Sequence, residues 1–190
     1  MKKNKIIVLG LAAVLAMGIA TGCGNSGTTD TGSTDSGTQV SVESGMVSNF
    51  HEAIRNAYGD NYLPNTQLDE ENFSQKFGVD KANVKNFLAE VPMIGTFVDT
   101  LVIIEAEDGK ADAVETSLNE YRDALLADTM QYPMNLAKIN SSVVYRVDEY
   151  VFFIMLGAID EVNEEESAQL SFAQEEVQKA IDAINEVVNQ

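Results

Sequence analysis

Val47, Phe50, Ile54, Ala57 and Tyr58 recur at helical spacing, and Gly59 follows where a left-handed residue ends a helix. The spacing predicts a first helix over about residues 45–58. Thr66 followed by Asp69 reads as an N-cap with an acidic first turn, Phe73 and Phe77 lie one turn apart, and Gly78 closes a short second helix. Residues 84–93 fit two templates. Val84, Phe87, Leu88 and Val91 suit a helix face, Phe87, Ala89, Val91 and Met93 alternate as in a strand, and Pro92 marks an edge strand or a helix end. Thr100–Ala106 is β-branched, apolar at consecutive positions and short, which predicts a strand covered on both faces. Glu107-Asp108-Gly109 turns the chain into a helix over about 110–128, striped by Val114, Leu118, Tyr121 and Leu125. Ser142–Val147 and Tyr150–Leu156 read as two strands joined by the hairpin turn Asp148-Glu149. After an acidic loop over 160–166, Ala173, Val177, Ala180, Ile181, Ile184, Val187 and Val188 define a long amphipathic C-terminal helix. Strands in neighbouring pairs, interrupted by helices, give the expected fold class: α+β, two-layer, with an antiparallel sheet of three to four strands packed against helices.

The N-terminus follows no such period. Three lysines within Met1–Lys5 precede an unbroken apolar and small-residue run, Ile6–Ala20, the layout of a signal peptide. At 1.5 Å per residue this run covers about two-thirds of a bilayer core roughly 30 Å thick, too little for a permanent span. Ala20-Thr21-Gly22-Cys23 then resembles the lipobox of bacterial lipoproteins, with Ala20 standing where Leu is commoner. That resemblance implies cleavage after Gly22 and a diacylglyceryl group on Cys23, the only cysteine. Residues 24–39 contain no sizeable hydrophobe and read as a tether, spanning about 25 Å for some twenty flexible residues. The expected organisation is therefore a signal peptide over 1–22, a lipidated Cys23 with its linker over 23–45, and one globular domain over 46–190.

Charge narrows the functions on offer. The chain carries 12 Lys plus Arg against 30 Asp plus Glu, a net charge of −18, and loss of residues 1–22 with their three lysines deepens it to −21. So acidic a domain repels phosphates, which excludes nucleic acid as an expected partner. An acylated Cys23 leaves no thiol for catalysis or redox chemistry. His51, the only histidine, flanks the first helix's apolar stripe without a nucleophile-elbow serine elsewhere, so it reads as a surface or half-buried helical residue. Acids cluster at 69–71, at 105–108 and at 160–166, without the spacing of a calcium loop, and read as solvated helix starts and loops. No metal and no cofactor is expected. Aromatic and methionine side chains gather in Met130, Tyr132, Met134, Tyr145, Tyr150, Phe152, Phe153 and Met155; those on strands read as core. Tyr132, Pro133 and Asn135 are the candidate ligand-binding residues, because Pro133 places its neighbours in a loop.

The stretch from Thr100 through the helix ending near Leu125, then Tyr132-Pro133 and the hairpin entering Tyr150-Val151, resembles an uncharacterised family of Gram-positive lipoproteins, the domain of unknown function 4358. The resemblance covers roughly Phe50–Gly157. It implies a secreted, lipid-anchored globular domain with no established activity.

These readings converge on a membrane-anchored extracytoplasmic module, non-enzymatic, that binds a peptide, a protein or a small molecule. A hydrolase built on Asp/Glu pairs is the alternative, and a calcium-stabilised surface domain a further one.

Overall fold

The computed structural model describes residues 45–190; the expected signal peptide over 1–22, Cys23 and all but the last residue of the expected linker over 23–45 lie outside the described residues. The first helix, α1, runs Met46–Tyr58 and is followed by a 3-10 turn. Strand β1 is the short Thr66–Gln67, and α2 spans Glu70–Phe77. Asp69, rather than Thr66, caps α2: its Oδ1 accepts from the Asn72 amide at 2.8 Å, while Thr66 is already committed to pairing with Val91. Strand β2 is Val84–Val91, β3 is Thr100–Ala106 and α3 is Ala111–Ala127. A 3-10 turn at Pro133–Asn135 leads into α4, Leu136–Ser141, a helix that no sequence period announces. Strands β4, Val143–Val147, and β5, Tyr150–Met155, form the expected hairpin, with Asp148 at φ 52° in its turn. The long C-terminal helix, α5, is Glu166–Val188.

The fold is α+β, built on one open antiparallel sheet in the order β1-β2-β3-β5-β4. Five strands take the place of the three to four expected. Residues 84–91 resolve as a strand because each side finds a partner, β3 along most of its length and β1 at its end. Pro92 follows β2 directly and stops it, so its missing amide disturbs no ladder.

Consecutive apolar positions decide the layering. On β3, Leu101 and Ile103 face one core while Val102, Ile104 and Ala106 face the other; on β5, Phe152 and Ile154 oppose Val151, Phe153 and Met155 in the same way. The first core packs under α1 and α5, through Phe50, Ile54, Val177 and Ile184. The second packs under α2, α3 and α4, through Phe73, Phe77, Val114, Leu118 and Ile139. Helices thus cover both sheet faces, giving three layers instead of two, because strands with no polar face need cover on each side. Both cores are assembled from residues between Met46 and Val187, and the described residues 45–190 form one compact unit with a core of its own. No helix among the described residues is long and apolar enough to cross a membrane.

Candidate functional site

The turn into α4 is fixed by two residues. Pro133 supplies a preset φ at its first position, and Asn135, buried to 1% exposure, donates from Nδ2 to the Thr96 carbonyl at 3.0 Å, tying it to the loop between β2 and β3. One turn further on, α4 directs Lys138 inward. Its ammonium donates to both carboxylate oxygens of Asp99 at 2.8 Å, with Lys138 at 3% and Asp99 at 0% exposure. Burial pushes the Asp99 carboxyl above its ordinary range, against the opposing pull of Lys138.

Opposite α4, the chain leaves β5 through Gly157 at φ 121°, a backbone state that L side chains rarely adopt. A Cβ there would stand 2.4 Å from Cβ of Glu176, so the turn presses against α5 as only glycine allows. Glu176 Oε2 accepts from the Ala158 amide at 3.0 Å, and the Glu176 carbonyl accepts from the Tyr58 hydroxyl at 2.7 Å, which pins this segment to α5 and α5 to α1.

Between α4, residues 158–161 and the first turns of α5 lies a cleft of about 280 Å³. Met134, Ala137, Ile159 and Ala173 supply apolar walls, and Lys138, already neutralised by Asp99, lies along it. Asp160, Glu161 and Gln169 supply the remaining polar lining. Asp160 is occupied by its own turn, accepting from the amides of Val162 and Asn163 at 3.0 and 3.1 Å and from Asn163 Nδ2 at 2.7 Å, which holds its carboxyl below the ordinary range. Glu161 makes no hydrogen bond or ion pair among the described residues and stands exposed in the lining.

Of the residues singled out by sequence, Tyr132 and Pro133 are exposed beside this cleft, and Met134 lines it. Asn135 is inside the protein, holding the turn. Lys138, Asp99, Ile159 and Gln169 escaped the sequence reading; the signal that could have found the pair is a lysine set among apolar residues in Leu136–Ile139, with an aspartate heading an apolar strand.

His51 has a different setting. Its Nε2 donates to Glu90 Oε2 at 3.0 Å, Tyr62 donates its hydroxyl to the same oxygen at 2.7 Å, and the Arg55 guanidinium lies 5.7 Å from the Tyr62 ring centre. Burial alone would raise the Glu90 carboxyl, but the hydrogen bonds from His51 and Tyr62 outweigh it and hold the group below its ordinary range. Burial and the Glu90 charge together raise the Tyr62 phenol. The imidazole thus joins α1 to β2 at the edge of a wide groove lined by Ser48, Arg55 and Pro64. The acidic clusters are used locally: Asp69 caps α2, and Glu105 accepts from Lys85 at 2.6 Å. Among the described residues no three His, Cys, Asp or Glu side chains converge to hold a metal ion.

Comparison with curated proteins and with solved structures finds no match. Residues 57–156, just over half of the chain, match the family described as Domain of unknown function (DUF4358), and the chain belongs to that family.

Proposed function

We propose that this chain is an extracytoplasmic, lipid-anchored, non-enzymatic binding domain, and that the cleft between α4 and α5 is its ligand site, taking an apolar group that ends in a cation. The observation that carries the reading is the make-up of the cleft: apolar walls, a lysine whose charge Asp99 cancels, and the uncommitted carboxylate of Glu161. A cavity of this size suits one side chain or a small molecule rather than a sugar polymer. Of the two carboxylates that line the cleft, Asp160 is held by its own turn and Glu161 is uncommitted, an arrangement that favours binding one cation over the acid and base pair of glycoside hydrolysis. Asp99 and Lys138 fall within the family-matched stretch, while Gln169 and Ala173 come from α5 beyond it.

Anchoring rests on the sequence over residues 1–23. Cys23→Ala is expected to move the protein from the membrane fraction to the medium or to leave it unprocessed, and membrane retention after signal cleavage would refute it. The cleft is tested by amide shifts of residues 39–190 on titration with butylammonium and with butyrate. Shifts at Ala137, Ile159 and Gln169 with butylammonium alone, abolished in Ala137→Phe, are expected. Equal response to butyrate, or shifts that survive Ala137→Phe, would overturn the assignment.

A further inference from the structure

Three loops meet where β2 ends, β3 begins and β5 ends: residues 92–99, the segment 128–135 between α3 and α4, and residues 156–165. Asn135 Nδ2 to the Thr96 carbonyl joins the first two, Lys138 to Asp99 reinforces that joint, and Met134 and Ile159 share the cleft that joins the second to the third. Each loop carries large apolar side chains in water. Met93 is 76% exposed, Met130 88% and Val162 87%, with Ile94, Tyr132 and Met134 exposed among them. Isolated exposed hydrophobes are ordinary, whereas six on three touching loops around a cleft mark a docking surface. Unbranched methionine adapts to varied partners more readily than other apolar side chains.

The charge around these side chains has one sign. Across 92–99, 126–138 and 156–170 the only Lys or Arg is Lys138, buried and held by Asp99, while Asp128, Asp160, Glu161 and Glu164–Glu166 stand on the same loops. Apolar anchors within an acidic rim complement a helix bearing an apolar face and flanking Lys or Arg. An anionic bilayer is repelled by the same rim.

We propose that this end of the sheet docks a basic amphipathic peptide segment of a partner protein, with one cationic side chain entering the cleft. The inference rests on the cleft being a binding site and adds the occupant. Met93 and Ile94 engage one edge of the apolar face, Met130 and Met134 its centre, and Val162 its far edge.

The experiment measures anisotropy of labelled synthetic peptides against residues 39–190: an amphipathic helix of Leu and Lys, a Lys/Ser peptide of equal charge, and a Leu/Glu helix. The Leu/Lys helix is expected to bind, more weakly as salt rises, and at least roughly tenfold more weakly to Met93→Ser/Met130→Ser/Val162→Ser. Val188→Ser, exposed on α5, should bind as wild type. Equal binding of the Lys/Ser peptide, or no loss in the triple variant, would overturn the proposal. So would phosphatidylcholine-vesicle binding or self-association abolished by the same substitutions, which would assign the surface to a bilayer or to a second copy. If butylammonium fills the cleft and the Leu/Lys helix does not bind, the docking surface falls while the cleft stands; if neither binds, both fall.

Discussion

Lys138→Met should be among the most damaging single changes at a charged residue. At 2.8 Å the attraction between Lys138 and Asp99 is about 6 kcal/mol at an effective dielectric constant near 20, and desolvation of both groups offsets much of it. Methionine keeps most of the packing volume but leaves the wholly buried Asp99 carboxylate without a cation, a change that costs about 3–5 kcal/mol. Adding Asp99→Asn removes the second charge while keeping an acceptor for neighbouring amides, and the double variant should regain about half or more of that loss. A pH signature separates this account from simple loss of packing. Burial already holds the Asp99 carboxyl above its ordinary range, and without the ammonium it rises further. Below the unfolded carboxyl's pKa of about 4, folded and unfolded chains are both protonated and no penalty exists. As pH climbs from there toward the folded value, the unfolded chain releases a proton that the folded chain retains, so stability falls. The deficit of Lys138→Met should therefore be large at pH 7 and shrink toward pH 4. Guanidinium melts of wild type, both single variants and the double variant at the two pH values make the measurement, with equal m-values as the condition for comparison. A Lys138→Met protein within about 1 kcal/mol of wild type at pH 7, or a deficit independent of pH, would refute the reasoning.

Phe153→Ala, which empties a wholly buried site where the ring meets Tyr121 edge-on at 5.2 Å between centroids, should cost about 3–5 kcal/mol in the same melts. Gly157→Ala sets a Cβ at a positive φ and into Glu176, and is expected to cost about 3 kcal/mol or more while broadening the amide signals of residues 157–161. His51→Ala should cost about 1–2 kcal/mol at pH 7, more than a surface histidine would, because it removes a donor from half-buried Glu90. Since the Glu90 carboxyl is depressed in the fold, its contribution is present above the unfolded carboxyl's pKa and lost as pH falls through the folded one; His51→Ala should flatten that acid limb in a series of melts.

The sheet was legible where burial on both faces left a mark in composition. Thr100–Ala106 and Tyr150–Met155 have no polar face, and both emerge as inner strands within a residue of their expected ends. The same composition implied helices above and below, an implication the two-layer expectation missed. Residues 84–91 were undecidable because Leu88 faces one core while Phe87 and Ala89 face the other, and a bulge between Val84 and Asn86 shifts the alternation within the strand. A helix face and a bulged, doubly covered strand then show nearly the same apolar positions, and only pairing with β1 and β3 decides. His51 inherited that ambiguity, since its partner Glu90 sits in this segment.

The cleft was illegible for a different reason. Periodicity reports which face of an element is buried, whereas the cleft is assembled from short pieces of irregular chain and helix ends, 134–138, 158–161 and 169–173, that share no period. Pro133 marks a turn that adjoins the cleft, because a fixed φ and a missing amide force the chain out of a regular element and leave Tyr132 in solvent. It could not say that Asn135 turns inward to hold Thr96, or that Lys138 reaches back 39 residues to Asp99. Exposed apolar side chains carry still less signal in sequence: in a loop there is no alternation for an apolar residue to violate, so Met93, Met130 and Val162 become anomalous only when their loops are seen to meet. The acidic clusters gain meaning at the same point. As composition they read as solvated loops, and Asp69 and Asp160 are spent on their own turns; Asp160 and Glu161 both line the cleft with apolar walls, and of the two only Glu161 makes no hydrogen bond among the described residues. A carboxylate in water discriminates little between ligands. One that also borders apolar surface, as exposed Glu161 does, favours groups that are both oily and cationic, and the proposed site would draw its specificity from that adjacency rather than from the amount of charge.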